Sequence, residues 1–152
     1  MLTHFRLAAL SAAALCVVWA SQASAFWPFA AAPRLSMTST YGGVCEDCNL
    51  ANRNLTGAKM SNSVFNRSNF SEAVMARADA SRSEFQGADF SGADLSGVTF
   101  ADANVARATF DGANIAGANL ETAEGLTQRQ LNAACGDTTT RVRRGLRVRE
   151  CD

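Results

Sequence analysis

The chain has 152 residues, enough for one domain with terminal extensions, and its 14 Lys and Arg balance 14 Asp and Glu. Its one histidine is His4, inside a segment that reads as a removable leader. The mature chain then holds no imidazole, which excludes Ser-His-Asp and Cys-His catalysis and any zinc site with a histidine ligand.

Residues 1–25 have the anatomy of a secretory signal peptide. Arg6 and the amino terminus supply positive charge, residues 7–20 are an apolar run, and Ala23-Ser24-Ala25 is a small-x-small cleavage site. Cleavage between Ala25 and Phe26 makes Phe26 the new N-terminus. The apolar run is 14 residues long. A spanning helix needs roughly 20, so no stable membrane insertion is expected after the signal is removed. The expected address is periplasmic or secreted, in a Gram-negative bacterium. A lipoprotein reading through Cys16 fails because Leu15 precedes it, where such signals want a small residue.

Residues 26–47 form an N-terminal extension. Phe26-Trp27-Pro28-Phe29 is unusually apolar for a free terminus. It reads as a cap, a partner-binding strip or a flank of the signal. Cys45 and Cys48 close this segment. Their spacing admits a redox pair, a metal half-site or a structural role, with Cys48 packing in a small inward slot. A redox-active pair of this kind normally opens a helix in a βαβ setting, whereas this one opens a run of short repeats.

Residues 48–124 carry a five-residue period. Large apolar side chains recur at Leu50, Leu55, Met60, Phe65, Phe70, Met75, Phe85, Phe90, Leu95, Phe100, Val105, Phe110, Ile115 and Leu120, with Ala80 as the exception. Two positions earlier sits a mostly small column, as in Ser83, Ala88 and Ala93. Asn or Asp often precedes the large residue and Gly often follows two positions later. A helix would scatter such a series around its cylinder, since five residues advance it by about 140° beyond a full turn. A flat strand would send successive members to opposite faces. The chain must therefore turn at each unit, so that the large residues converge on one interior, as in an all-β solenoid. The core ladder is expected to be Leu55, Phe65, Phe70, Phe85, Phe90, Leu95, Phe100, Phe110, Ile115 and Leu120. Ala80 would leave a gap unless Phe100 leans over it. Arg53 falls in a small inward slot, which predicts an open or irregular first coil.

Runs such as Ala88-Asp89-Phe90-Ser91-Gly92 and Ala93-Asp94-Leu95-Ser96-Gly97 resemble the A(D/N)LXX motif of pentapeptide-repeat proteins. The resemblance implies a right-handed, four-sided β-helix with four units per coil, here about four coils. Spacing alone leaves the number of sides open. Phe70, Phe90 and Phe110 are 20 apart, but Phe70, Phe85 and Phe100 fit a 15-residue coil as well.

Residues 125–152 read as a C-terminal capping helix and a disulfide-closed tail. Thr127 and Gln130 make a capping box, and Leu126 and Leu131 are placed as a hydrophobic staple. The predicted helix runs from about Gln128 to Cys135 and stops at Gly136. Four cysteines remain after export, and an even count in an exported protein reads as disulfides with three possible pairings. Cys135 with Cys151 is favoured, because about four coils at roughly 4.8 Å part the two ends by about 19 Å, beyond the reach of a bridge.

Charged residues have bland readings. Asp79, Glu84, Asp89 and Asp94 share one repeat position and read as solvated turn residues. Arg82 and Asp102, 20 apart, are expected to stack as an exposed ion pair. Arg141, Arg143, Arg144, Arg147 and Arg149 form a basic tail, but no aromatic residue interleaves with it. No nucleic-acid partner is therefore expected. The leading expectation is a non-enzymatic exported structural or protein-interaction module with no cofactor, using its outer faces, with end-to-end self-association open to it. The alternative is a periplasmic thiol-redox or metal-binding protein acting through Cys45 and Cys48. The resemblance adds a remote third reading, a DNA mimic that protects DNA gyrase, as some pentapeptide-repeat proteins do.

Overall fold

The computed structural model describes residues 43–151. The signal segment 1–25, its cleavage at Ala25 and Phe26, and the Phe26-Trp27-Pro28-Phe29 strip lie outside the described residues.

The turn needed in each unit is made by one residue with left-handed backbone. Every fifth residue from Asp47 to Gly117 has φ between 53 and 69°. Six of these fifteen positions are Gly, and the others include Asn52, Asn62, Glu72 and Arg107. Beside most corners the chain closes a tight turn, as where the Ala73 N–H donates to the Phe70 carbonyl at 3.0 Å. The residue before each large one then pairs with its counterpart in the next coil. Parallel bridges join residues 20 apart, from Val44 with Val64 to Asn104 with Glu124. Twenty residues are four five-residue units. The hydrogen bonds are regular: Phe65 donates to Glu84 at 2.7 Å and Glu84 donates to Ser63 at 2.9 Å. This is a β-solenoid whose strands have shrunk to single rungs.

The interior is dry and tightly filled. Phe65, Phe70, Phe85, Phe90, Leu95, Phe100 and Ile115 are fully buried, and Leu55, Phe110 and Leu120 nearly so. Rings stack on their counterparts one coil away: Phe65 on Phe85 at 5.4 Å, Phe70 on Phe90 at 5.2 Å and Phe90 on Phe110 at 5.3 Å. The Ala80 gap is closed from its neighbour. Phe100 lies above Ala80 in the ladder, and its ring reaches Phe85 at 5.7 Å and Phe90 at 5.9 Å, edge to face.

Three expectations need correction. The ladder opens at Val44, ahead of the boundary expected at residue 48, and takes in Cys45 and Cys48. Val44 occupies an outward rung position and is 75% exposed, so nothing in its side chain betrays the start. At Arg53 the first coil is open, one of the two expected alternatives, and its backbone is regular, with the Arg53 carbonyl accepting from Val74 at 2.9 Å. The slot lies in the outermost coil, so the guanidinium escapes to solvent and the backbone need not distort. The helix α1 spans Gln128–Ala133 and ends two residues early, because Ala134 turns extended and Cys135 joins the ladder by pairing with Asn114. Gly136 is therefore a rung, accepting from Cys151 and donating to Arg149, and not a helix stop.

Around α1 the coil continues. Glu124 pairs with Asn104, Cys135 with Asn114, and strand β2 (Arg141–Val142) runs parallel to β1 (Asn119–Leu120). Thr109 bridges Asp89 below, but where its own upper partner would lie the chain has made a helix. Thr127 caps α1 through a reciprocal box with Gln130, and Leu131 and Ala134 are buried in the core.

Candidate functional site

Four sets of polar groups stand out on this scaffold. The first is the cysteines. Cys45 pairs with Cys48 and Cys135 with Cys151, with Cα separations of 5.6 and 4.8 Å. Cys45 and Cys48 are half-buried and flank the corner at Asp47. In most units the small-slot N–H closes this corner directly. Here the Ser68 hydroxyl is inserted instead, accepting from the Cys48 N–H at 3.1 Å and donating to the Cys45 carbonyl at 2.6 Å. Ser83 wedges the corner at Asn62, on a different side of the coil, in the same way, between the Ser63 N–H and the Met60 carbonyl. Serine in place of alanine in a small slot was the available signal, but its partners lie in another coil.

The acidic row is local in its work. Asp79 and Asp89 each accept from the N–H and hydroxyl of the serine two residues on, Asp94 accepts from the Ser96 N–H, and Glu84 accepts from Asn104. Among the described residues no cluster of His, Cys, Asp or Glu could hold a metal ion. Arg82 and Asp102 do not meet within ion-pair distance. Among the described residues the pair that does form is Arg67 with Asp47, also 20 apart, through two 2.8 Å hydrogen bonds. Both partners are well exposed. The Arg67 hydrogen bond lowers the Asp47 pKa, and Asp47 in turn raises that of Arg67.

The tail is organised by Asp137. Its carboxylate accepts from the Thr139 hydroxyl at 2.7 Å, the Gly117 N–H at 3.0 Å, the Thr139 N–H at 2.9 Å and the Thr140 hydroxyl at 3.1 Å. These donors, Thr139 foremost, draw its pKa down to about 2. The five tail arginines are all exposed. Arg143 also donates to the Ala123 carbonyl at 3.3 Å, which ties the tail to the last repeat.

The fourth set lines a notch of about 520 Å³ between residues 107–111 and α1. It exists because α1 replaces a rung. The Gln130 side chain donates to the Val105 and Ala108 carbonyls at 2.9 Å, standing in for part of the missing ladder.

A model of the pentapeptide repeats matches in eight copies, over residues 45–79, 64–97 and 88–123, which together span just over half of the chain. The chain belongs to the pentapeptide-repeat family. No curated relative reaches significant similarity. Among solved structures, this pentapeptide-repeat protein is similar to one from the Arabidopsis thaliana thylakoid lumen, at 25% identity over 68% of this chain and 61% of that one, with a TM-score of 0.38. It is also similar to the pentapeptide repeat protein Rfr23 of the cyanobacterium Cyanothece, at 23% identity over 65% of this chain and 90% of that one, TM-score 0.43. QnrB1, a plasmid-mediated fluoroquinolone resistance protein, matches at 18% identity over 62% of this chain and 51% of that one, TM-score 0.49. The chain thus spans less than two thirds of the thylakoid protein and about half of QnrB1. Membership of the pentapeptide-repeat family supports a non-enzymatic repeat module. Among the described residues no helix is long and apolar enough to cross a membrane.

Proposed function

We propose that the chain is an exported, non-enzymatic scaffold that presents the outer faces of its solenoid to a protein partner. One observation carries this reading. Side chains from Leu55 to Leu120 fill the space inside the coils, so recognition falls to the outside. The repeat block, residues 48–124 with the rungs from Val44, is read as a right-handed, four-sided coil of about four turns. Residues 125–152, α1 included, are read as its cap.

Export is read from residues 1–25, with Phe26 as the mature terminus. The Cys45–Cys48 and Cys135–Cys151 pairs are read as disulfides, which persist in an oxidising compartment. The outer faces, rich in Ser, Ala, Thr, Gly and Asn, favour a protein over a nucleic acid as partner. End-to-end association is open to the first coil, where the Asn49, Asn54 and Lys59 N–H groups have no backbone partner among the described residues.

Fractionating cells that express a C-terminally tagged chain, then crosslinking and pulling down from each fraction, tests this. A processed chain in the periplasmic or secreted fraction, crosslinked to a protein, is the expected result. An unprocessed cytoplasmic chain would sink export. The half-exposure of Cys45 and Cys48 favours a second reading, a thiol-redox protein. Counting free thiols and assaying disulfide exchange decides between them: the scaffold reading expects neither.

A further inference from the structure

Among the described residues from Cys45 to Ile115, the notch beside α1 holds the one break in an otherwise continuous set of rungs. From Cys45 to Ile115 the N–H of each large-slot residue donates to a carbonyl in the coil above, as Phe90 does to Thr109 at 2.9 Å and Ile115 to Cys135 at 2.7 Å. Phe110 is the exception. Of the groups around it, the Ala108 carbonyl is satisfied by Gln130 and the Gly112 N–H by the Ala133 carbonyl at 2.8 Å, while the N–H groups of the exposed Arg107 and Asp111 have no partner among the described residues. The Phe110 N–H has no partner among the described residues, although Phe110 is only 3% exposed. A buried backbone donor left in this state is rare and costly, so it marks a place where an acceptor from outside is favoured.

The surroundings say what kind of acceptor. Arg107 and Arg129 line the same notch from opposite walls, one on the repeat and one on α1, and neither is in an ion pair among the described residues. Asp111 lines it too, so the charged side chains there sum to one net positive charge. The free N–H groups at the notch, those of Arg107, Phe110 and Asp111, do not alternate along the chain as those of a strand edge do, so the notch does not suit an added β-strand. It suits a group with one or two acceptor oxygens and a negative charge, shaped to meet planar guanidinium forks.

We infer that this notch is a binding site for a carboxylate-bearing group, such as an acidic side chain of a partner protein. The inference rests on the interaction-module reading and gives that module a specific point of contact. The test is a titration of the purified, oxidised, ¹⁵N-labelled protein followed by amide NMR, with N-acetyl-glutamate, neutral N-acetyl-glutamine and inorganic phosphate as probes. The Phe110 amide should shift saturably with N-acetyl-glutamate and stay put with N-acetyl-glutamine. Replacing both guanidiniums (Arg107→Gln with Arg129→Gln) should weaken binding by about ten-fold or more, since two charge-assisted hydrogen bonds are lost. The core amides of Phe65 and Phe85 should keep their positions, which shows that the variant is folded. An unmoved Phe110 amide, or an equal response in the double variant, overturns the site. A response to phosphate alone overturns the carboxylate assignment. A folded chain that still crosslinks to a partner while Phe110 stays silent loses this site and keeps the scaffold.

Discussion

A single residue in this molecule is judged by which of three positions it holds: corner, inward slot or rung. At a corner the backbone is left-handed, and Gly57 is a clean case because an added Cβ would meet nothing within 4 Å. Gly57→Ala should therefore cost only the conformational penalty, about 1–2 kcal/mol. Gly125 differs, since a Cβ there would lie 2.5 Å from the Ala106 Cβ and 2.8 Å from its backbone nitrogen. Gly125→Ala should cost clearly more, and urea midpoints of the two variants give the comparison; equal midpoints would contradict the packing at Ala106. In an inward slot, Phe90→Asp should abolish cooperative thermal unfolding, because a carboxylate would enter a dry core with no route out. Ser91→Asp, one residue on and outside the core, should still unfold cooperatively, at a somewhat lower temperature because it loses the hydroxyl bond to Asp89 and sets a second carboxylate beside it.

Among the described residues the elements are single rungs, two strands of two residues and one short helix, and what could be read of them in advance divides along a physical line. The period of five is local: Phe85 and Phe90 announce their slots wherever they stand, so the solenoid and its core ladder were legible. So was α1, through the Thr127 and Gln130 box that any helix start uses. Pairings between coils were not. Fifteen- and twenty-residue coils place the same rings in the interior, and only the Val44–Val64 type of bridge distinguishes them. Spacing of 20 brings Asp47 and Arg67 together but leaves Arg82 and Asp102 apart, as expected where exposed pairs gain little and long side chains choose solvent. The unpaired Phe110 N–H was invisible, because a backbone donor has no letter in the sequence. The tail offers an acid test. A carboxyl whose folded pKa is depressed contributes stability above its unfolded pKa, and that contribution fades as pH falls through the folded value. For Asp137 the window runs from about pH 4, the ordinary carboxyl value, down to its own value of about 2. Urea midpoints of Asp137→Asn should lie below the parent at pH 6 and converge on it toward pH 2. A constant offset over that range would rule out the carboxylate as the tail's anchor.

As a whole, the molecule is unequal at its ends. At the first coil Val44 and the edges of Asn49, Asn54 and Lys59 are open among the described residues. The last coil is covered by α1, β2 and a further layer in which Glu150 pairs with Gly136. Each pair of cysteines therefore does a different job. Cys135 and Cys151 are 16 residues apart and tie down that outer layer, whereas Cys45 and Cys48 are 3 apart across one corner. In the chain-entropy account the longer loop contributes roughly 3 kcal/mol and the shorter roughly 2. Melting of Cys135→Ser with Cys151→Ser should thus drop further than that of Cys45→Ser with Cys48→Ser. The reverse order would mean that the array draws its stability chiefly from the open end.

Tandem arrays evolve by copy-number change, and the ring of Phe100 over the void at Ala80 places a limit on that process. Excising residues 86–90 preserves every corner and every rung type, yet it would bring Val105 to the place that Phe100 now holds. Between Ala80 and Phe100, each one-unit indel must be accompanied by a compensating change in side-chain bulk.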